Sequence, residues 1–214
     1  MRPPRALLQA KLGAKNVIVF MFMTTYGPSG GKIIRPFAPH EDERGEETMT
    51  TIEDITIRND LRPGDLGYVV HLHGLLYGAE YGYGIAFEMY VAEGLHEFYK
   101  SFDPEKDRVW ICEHRHRLVG FLLLMHRQNK AAQLRYFLIE PNYRGIGLGK
   151  KLMELCLEFL RRRQYQSSYL WTTHEQEAAA SLYQRYGFIL TEEKESTAFG
   201  KRLKEQRYDL RTEI

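Results

Sequence analysis

Cysteine is scarce in this sequence. Only Cys112 and Cys156 occur in 214 residues, and no C-x-x-C is present. That excludes a disulfide scaffold, a thiol redox pair and a cysteine zinc site, and it suits a reducing, cytoplasmic setting. The two thiols fall in a strand-like and a helix-like segment and read as small buried hydrophobes. Two histidine pairs, His71-x-His73 and His114-x-His116, sit poorly for a metal. Positions i and i+2 of a helix face apart, and the second pair lies in a polar turn. No metal is expected. No G-x-S-x-G is present, which removes the nucleophile elbow. The apolar run at residues 17–23 is too short to span a bilayer. Charge of one sign is also lacking: 30 basic and 28 acidic residues leave a net +2. Residues 1–48 hold seven basic and five acidic residues, so the rest of the chain balances at 23 of each. Nothing there predicts a nucleic-acid surface.

What is present divides at about residue 49. Residues 1–48 carry scattered basic residues, the short apolar run, a Gly/Pro/Ser cluster and an acidic stretch. They read as a poorly ordered N-terminal extension. A basic segment before a short apolar run is also the opening of an export signal, but no small-x-small cleavage site follows. Met49 stands directly before the first strand-like segment and is a credible start. Residues 49–214 are long enough for one domain with its own core.

The most informative stretch is residues 134–151, LRYFLIEPNYRGIGLGKK. An apolar strand runs to Ile139, and Pro141 and Asn142 end it. Gly145, Gly147 and Gly149 then open a helix with Leu148, Leu152, Leu155 and Phe159 on one face. Glycines at a helix N-terminus leave backbone N–H groups free and let an anion approach closely, which is chemistry for phosphate. Two familiar phosphate loops fail here. The P-loop would need Gly at Arg144 and Ser or Thr at Lys151, and the dinucleotide fingerprint would need Gly at Lys150. What remains is Arg144-x-x-Gly147-x-Gly149. This resembles the acyl-CoA pyrophosphate loop of the GCN5-related N-acetyltransferase (GNAT) superfamily.

Periodicity along the rest of the chain agrees. Strands are predicted at residues 52–58, 109–113, 118–126, 134–139, 169–173, 188–192 and 206–210. Helices are predicted at 65–77, 85–99, 147–163 and 175–186, with 78–84 a Gly/Tyr-rich loop. The order βααβββαβαββ is that of the GNAT fold, an α/β (α+β) architecture with a mixed sheet of about seven strands and four helices. A second motif, Ala179-x-x-Leu182-Tyr183-x-x-x-Gly187-Phe188, resembles the late helix of that family. The stretches from His73 to Gly82 and from Leu170 to Thr172 resemble bacterial GNAT domains that stand alone or are fused to MarR-type regulators.

The resemblance implies an N-acetyltransferase that moves acetyl from acetyl-CoA to a primary amine of a small-molecule or peptidyl acceptor by direct attack. It places the pyrophosphate on the loop Arg144, Gly145, Ile146, Gly147, Leu148, Gly149 and Lys150. It lays the pantetheine along the main chain of Phe137, Leu138 and Ile139. Tyr183 takes the position of the tyrosine that protonates the leaving thiolate. Gln176 stands where many relatives carry an asparagine that contacts the cofactor. For the base, Glu80 and Glu88 lie near the family's acceptor region. His73 is a third candidate, and Arg135 a possible orienting group. The Tyr77–Tyr83 cluster with Glu80 would suit a cationic or aromatic amine. Neither nucleic acid nor membrane is expected as a partner, and dimers are common among relatives, so a homodimer fits. The lack of an obvious base keeps an alternative open, a non-catalytic acyl-CoA-binding sensor or regulatory module.

Overall fold

The structure, a computed structural model, describes residues 50–212. The expectations for residues 1–48 and for Met49 lie outside the described residues. The described chain forms one seven-stranded mixed sheet in the order β1-β2-β3-β4-β5-β7-β6, with four α-helices. The strands are β1 (Thr56–Arg58), β2 (Arg108–His114), β3 (Arg117–Arg127), β4 (Ala131–Ile139), β5 (Ser167–Thr173), β6 (Ile189–Ser196) and β7 (Leu203–Arg211). The helices are α1 (Asp65–Tyr81), α2 (Ile85–Ser101), α3 (Leu148–Arg162) and α4 (Glu177–Arg185). This is the predicted element order.

Two apolar clusters cover the two faces of the sheet. Leu122 and Leu124 of β3 join Leu148, Leu152, Cys156 and Phe159 of α3 on one face. Phe121 and Leu123 of β3 join Val69 of α1 and Val91, Leu95 and Phe98 of α2 on the other. Residues 118–125 of β3 are therefore all buried, as a strand covered on both sides must be. Each fully buried Leu or Phe contributes roughly 1.5–3 kcal/mol. The thiols of Cys112 and Cys156 are unbridged and buried, and burial pushes both up to about 12.

Three local features depart from the predicted boundaries. Residues 52–54 form a short 3-10 turn rather than the start of β1. The Asp54 carboxylate accepts the Thr51 backbone N–H at 2.8 Å and ties that turn. Helix α1 runs through Gly78 to Tyr81, because an internal glycine costs only about 1 kcal/mol and aromatic packing offsets it. The helix stops at Gly82, in the left-handed region at φ +70°. The third departure is in β4. Its pairing with β3 slips between Phe121 and Leu123, and Tyr136 lies in the left-handed region at φ +53°. That is a β-bulge, which bends the strand.

The bend positions the site. Strand β4 pairs in parallel with β5 only from Ala131 to Leu134. Beyond that point β5 stays with β7 through Thr173, while β4 leans away and stays with β3 through Ile139. A wedge opens between the ends of β4 and β5. A buried ion pair braces the edge beyond β2. Arg58 contacts Asp65 at 2.6 Å and Glu113 at 2.8 Å, linking β1, α1 and β2.

Candidate active site

Two cavities meet in the wedge. The larger, about 440 Å³, runs from the ends of β4 to the start of α3 and the flank of α4. The smaller, about 90 Å³, lies under α1 and α2. Four residues line both: Tyr77, Phe137, Gln176 and Tyr183. They form the neck between the cavities.

Local sequence builds the larger cavity. Gly145 and Gly147 take φ +83° and +90°, a region costly for residues with a Cβ. A Cβ on Gly145 would meet nothing within 4 Å, so its face is open. The first helical bond of α3 runs from the Lys151 N–H to the Gly147 carbonyl at 3.0 Å. The N–H groups of residues 145–150 have no main-chain acceptor among the described residues. Several donors and the positive end of a helix dipole thus gather at one spot, which suits an anion. Beside them the β5-facing edge of Phe137, Leu138 and Ile139 lacks a strand partner. An extended ligand could add there as a strand does. The residues present fit a long molecule with a phosphate head and an amide-bearing arm.

The remaining cofactor candidates fall on the same cavity. Arg144 and Lys150 line it, with Lys150 largely exposed. Gln176 sits at the N-terminus of α4 and accepts a hydrogen bond from the Thr172 hydroxyl at 3.0 Å. Ile146 packs against the α3-side core, and Leu148 is buried in it. Those two side chains are core, so only their main chain is available to a ligand.

Tyr183 is buried on α4 in the neck. Burial, with a smaller contribution from Cys156, pushes its phenol well above the ordinary value near 10, so it stays protonated. Glu80 is not in the smaller cavity. It lines the larger one, and its carboxylate forms a two-pronged pair with Arg144, at 2.8 and 3.1 Å. Arg144 also donates from Nε to the Ile139 carbonyl at 3.0 Å. Glu88 lines neither cavity. Its carboxylate lies against Gly74 of α1, where an added Cβ would come within 2.3 Å of it.

Side chains from widely separated elements wall the smaller cavity. His73 is the titratable group buried most deeply in it, 1% exposed. Its Nδ1 lies 2.8 Å from the Val69 carbonyl, so Nδ1 carries the proton. Burial holds its pKa down to about 4, so the ring is neutral and Nε2 is a bare lone pair. Among the described residues no partner reaches Nε2. The ring stacks on Tyr77 at 5.5 Å and meets the Tyr136 ring edge-on at 5.7 Å. Arg135, Trp171, Phe199 and Glu205 complete the wall. Phe199 lies in the turn after β6, which is strapped across the cavity. The Gly84 N–H donates to the Phe199 carbonyl at 3.1 Å, and Lys201 reaches the Tyr81 carbonyl at 2.8 Å and Glu175 at 2.6 Å. Sequence reasoning missed Phe199 and Glu205, which carry no motif. Among the described residues no group of three or more His, Cys, Asp or Glu could hold a metal, and no helix is long and apolar enough to cross a membrane.

A glycine turn suited to an anion and an unpaired strand edge thus adjoin a second, smaller cavity through the neck of Tyr77, Phe137, Gln176 and Tyr183. Comparison with known proteins gives the family. A profile of the acetyltransferase (GNAT) family matches residues 76–188, and the chain belongs to that family. It is similar to an uncharacterised N-acetyltransferase of Methanocaldococcus jannaschii, 28% identical over 97 residues, 42% of each chain. It thus spans less than half the length of that relative. An uncharacterised N-acetyltransferase of Escherichia coli is 30% identical over 114 residues, 51% of this chain and 68% of that protein. The fold is that of the Salmonella typhimurium yncA protein, solved with its cofactor acetyl-CoA. The two share a TM-score of 0.57 and 18% identity over 74% of this chain and 94% of the other.

Proposed function

We propose that residues 49–214 are an acetyl-CoA-dependent N-acetyltransferase domain that acetylates a primary amine by direct attack. One observation carries this reading: Tyr183 stands in the neck shared by an anion-cradling cavity and a small second cavity. Acetyl-CoA, when bound, supplies a thioester carbonyl as electrophile.

The amides of residues 145–150 hold its pyrophosphate, and the free edge of Phe137, Leu138 and Ile139 holds its pantetheine arm. Arg144 and Lys150 add positive charge, and Gln176 offers an amide at the neck. The acceptor sits in the smaller cavity with its nitrogen at the neck. His73 Nε2 accepts an N–H of the neutral amine and so orients the nitrogen lone pair. Attack forms the C–N bond while the C–S bond breaks. The sulfur leaves with the electron pair and takes the Tyr183 phenolic proton, and the proton shed by nitrogen restores the tyrosine.

Glu80 acts in this scheme as the counter-ion that holds Arg144 over the cofactor cavity. Glu88 orders α1 against α2. Neither stands near the nitrogen. The test is calorimetric titration with acetyl-CoA, with NAD as control, in the full chain and in Gly147→Glu, followed by thiol release with an amine panel. Binding that the variant loses, with amine-dependent thiol release, supports the reading. No binding at millimolar acetyl-CoA overturns it.

A further inference from the structure

Among the described residues Arg135 is the one Lys or Arg side chain lining the smaller cavity. Packing and one long ion pair, to Glu97, hold it. Its guanidinium carbon lies 4.7 Å from the centre of the Tyr136 ring and 5.7 Å from that of Tyr90. It presses on α2 at Gly94, where an added Cβ would come within 2.6 Å of its Nη2. The side chain is only 11% exposed, yet the nearest carboxylate oxygen, on Glu97, is 3.7 Å away. Glu97 is itself 59% exposed and is shared with Arg127 at 3.5 Å. The other contacts are weak: the Tyr90 hydroxyl at 3.4 Å and the Met125 sulfur at 4.0 Å. Arg58, 8% exposed, shows the contrast, with carboxylates at 2.6 and 2.8 Å. A guanidinium taken from water with its donors so poorly met is costly until a carboxylate arrives.

His73 supplies the complement. Its Nδ1–H is spent on the Val69 carbonyl, and the lone pair on Nε2, at the opposite edge of the ring, has no partner. It waits for a donor. The ring stacks on Tyr77, a neck residue, and so lies next to the neck. Arg135 also packs on the Tyr136 ring, against α2. A cation and a histidine therefore both contact one aromatic ring in the lining of a cavity of about 90 Å³, the scale of a single small ligand. Among the described residues its one acidic side chain, Glu205, already faces Lys194 at 3.3 Å. That lining gives a polycationic amine one engaged carboxylate and one repelling guanidinium.

We propose that the acceptor is a small amine that also carries a carboxylate, of the α-amino-acid class: Arg135 takes the carboxylate and His73 Nε2 takes an N–H of the amine. This rests on the acetyltransferase reading above and narrows it. It also replaces the cationic amine suggested by the tyrosine cluster.

The test uses the full chain with saturating acetyl-CoA and follows thiol release. Leucine, phenylalanine and aspartate are each compared with the carboxamide and with the decarboxylated amine of the same side chain, and spermidine is added. Arg135→Gln and Arg135→Lys are run beside the wild type, with acetyl-CoA calorimetry as the check that each is folded. At least one free amino acid is expected to exceed its decarboxylated partner at least about tenfold in kcat/KM. Arg135→Gln should erase that preference through KM, and Arg135→Lys should restore part of it, with acetyl-CoA affinity unchanged. Equal or better use of the decarboxylated amines or of spermidine overturns the proposal and leaves the acetyltransferase reading standing. So does a preference that survives Arg135→Gln. If no amine releases thiol, calorimetry of the same amino acids on the CoA-loaded protein decides: no binding by any of them overturns the proposal. Failure of acetyl-CoA itself to bind removes the underlying reading instead.

Discussion

The two cavities are made of different material. Main chain makes one end of the larger one: glycine amides, the first turn of α3 and an unpaired strand edge. Side chains from α1, α2, α4, β4, β5, β7 and the turn after β6 make the smaller one. Main-chain chemistry is the same in every protein, so a main-chain site binds whatever is common to a family. Side-chain chemistry varies residue by residue, so a side-chain site is where individual acceptors are told apart.

The largest blow to the main-chain cavity is Gly147→Glu. It places a Cβ at φ +90° and a carboxylate where an anion is held. Acetyl-CoA affinity should fall about a thousandfold, roughly 4 kcal/mol, read by calorimetry. Unchanged affinity would move the anion off this loop.

His73 is the matching lever in the side-chain cavity, and its readout is pH. An unfolded chain takes the histidine proton near pH 6.5, whereas burial delays it in the folded state to about 4. The unfolded state therefore gains protons first as pH falls. Stability present above pH 6.5 should decline by about 3 kcal/mol by pH 4. His73→Leu should flatten that decline, measured as urea midpoints at pH 7 and pH 5. An equally steep decline in the variant would assign it to other groups.

Tyr183→Phe strikes the neck alone. It should lower kcat about 100-fold while acetyl-CoA binds as before. A variant that turns over normally takes Tyr183 out of proton transfer. Smallest is Glu80→Gln, which frees Arg144 at the rim of the main-chain cavity. Exposed pairs contribute about 1 kcal/mol or less, so KM for acetyl-CoA should drop about two- to threefold at low salt and recover at high salt. A rise in KM would mean that Glu80 does more than hold Arg144.

The same division sets what could be read from the sequence. The strand, the turn and the helix of residues 134–151 are local, and Pro141 and the glycines mark them directly. Element order followed from periodicity, and Gly187 marked the end of α4. The end of α1 was misjudged at Gly78, because a glycine inside a helix costs little when tyrosines pack around it. The paired state of Glu80 was hidden, since Arg144 is 64 residues away. Phe199 reaches the smaller cavity from a turn hydrogen-bonded to Gly84, a contact no local pattern encodes. The bulge at Tyr136 was hidden as well, because no glycine stands at its positive φ.

That bulge changes how the strand is counted. In a regular strand the even residues share a face and the odd ones share the other. Before the bulge, Ala132 and Leu134 point to the α3 side. After it, Tyr136 and Leu138 point to the α1 and α2 side, and Phe137 and Ile139 take over the α3 side. The parity has flipped, and the neighbours Arg135 and Tyr136 both press on Gly94. One supernumerary residue thus hands an arginine and a tyrosine to the smaller cavity and Phe137 to the neck. Deleting Tyr136 would remove the bulge and restore plain alternation, with Arg135 and Leu138 still on the α1 and α2 side and Phe137 and Ile139 still on the α3 side.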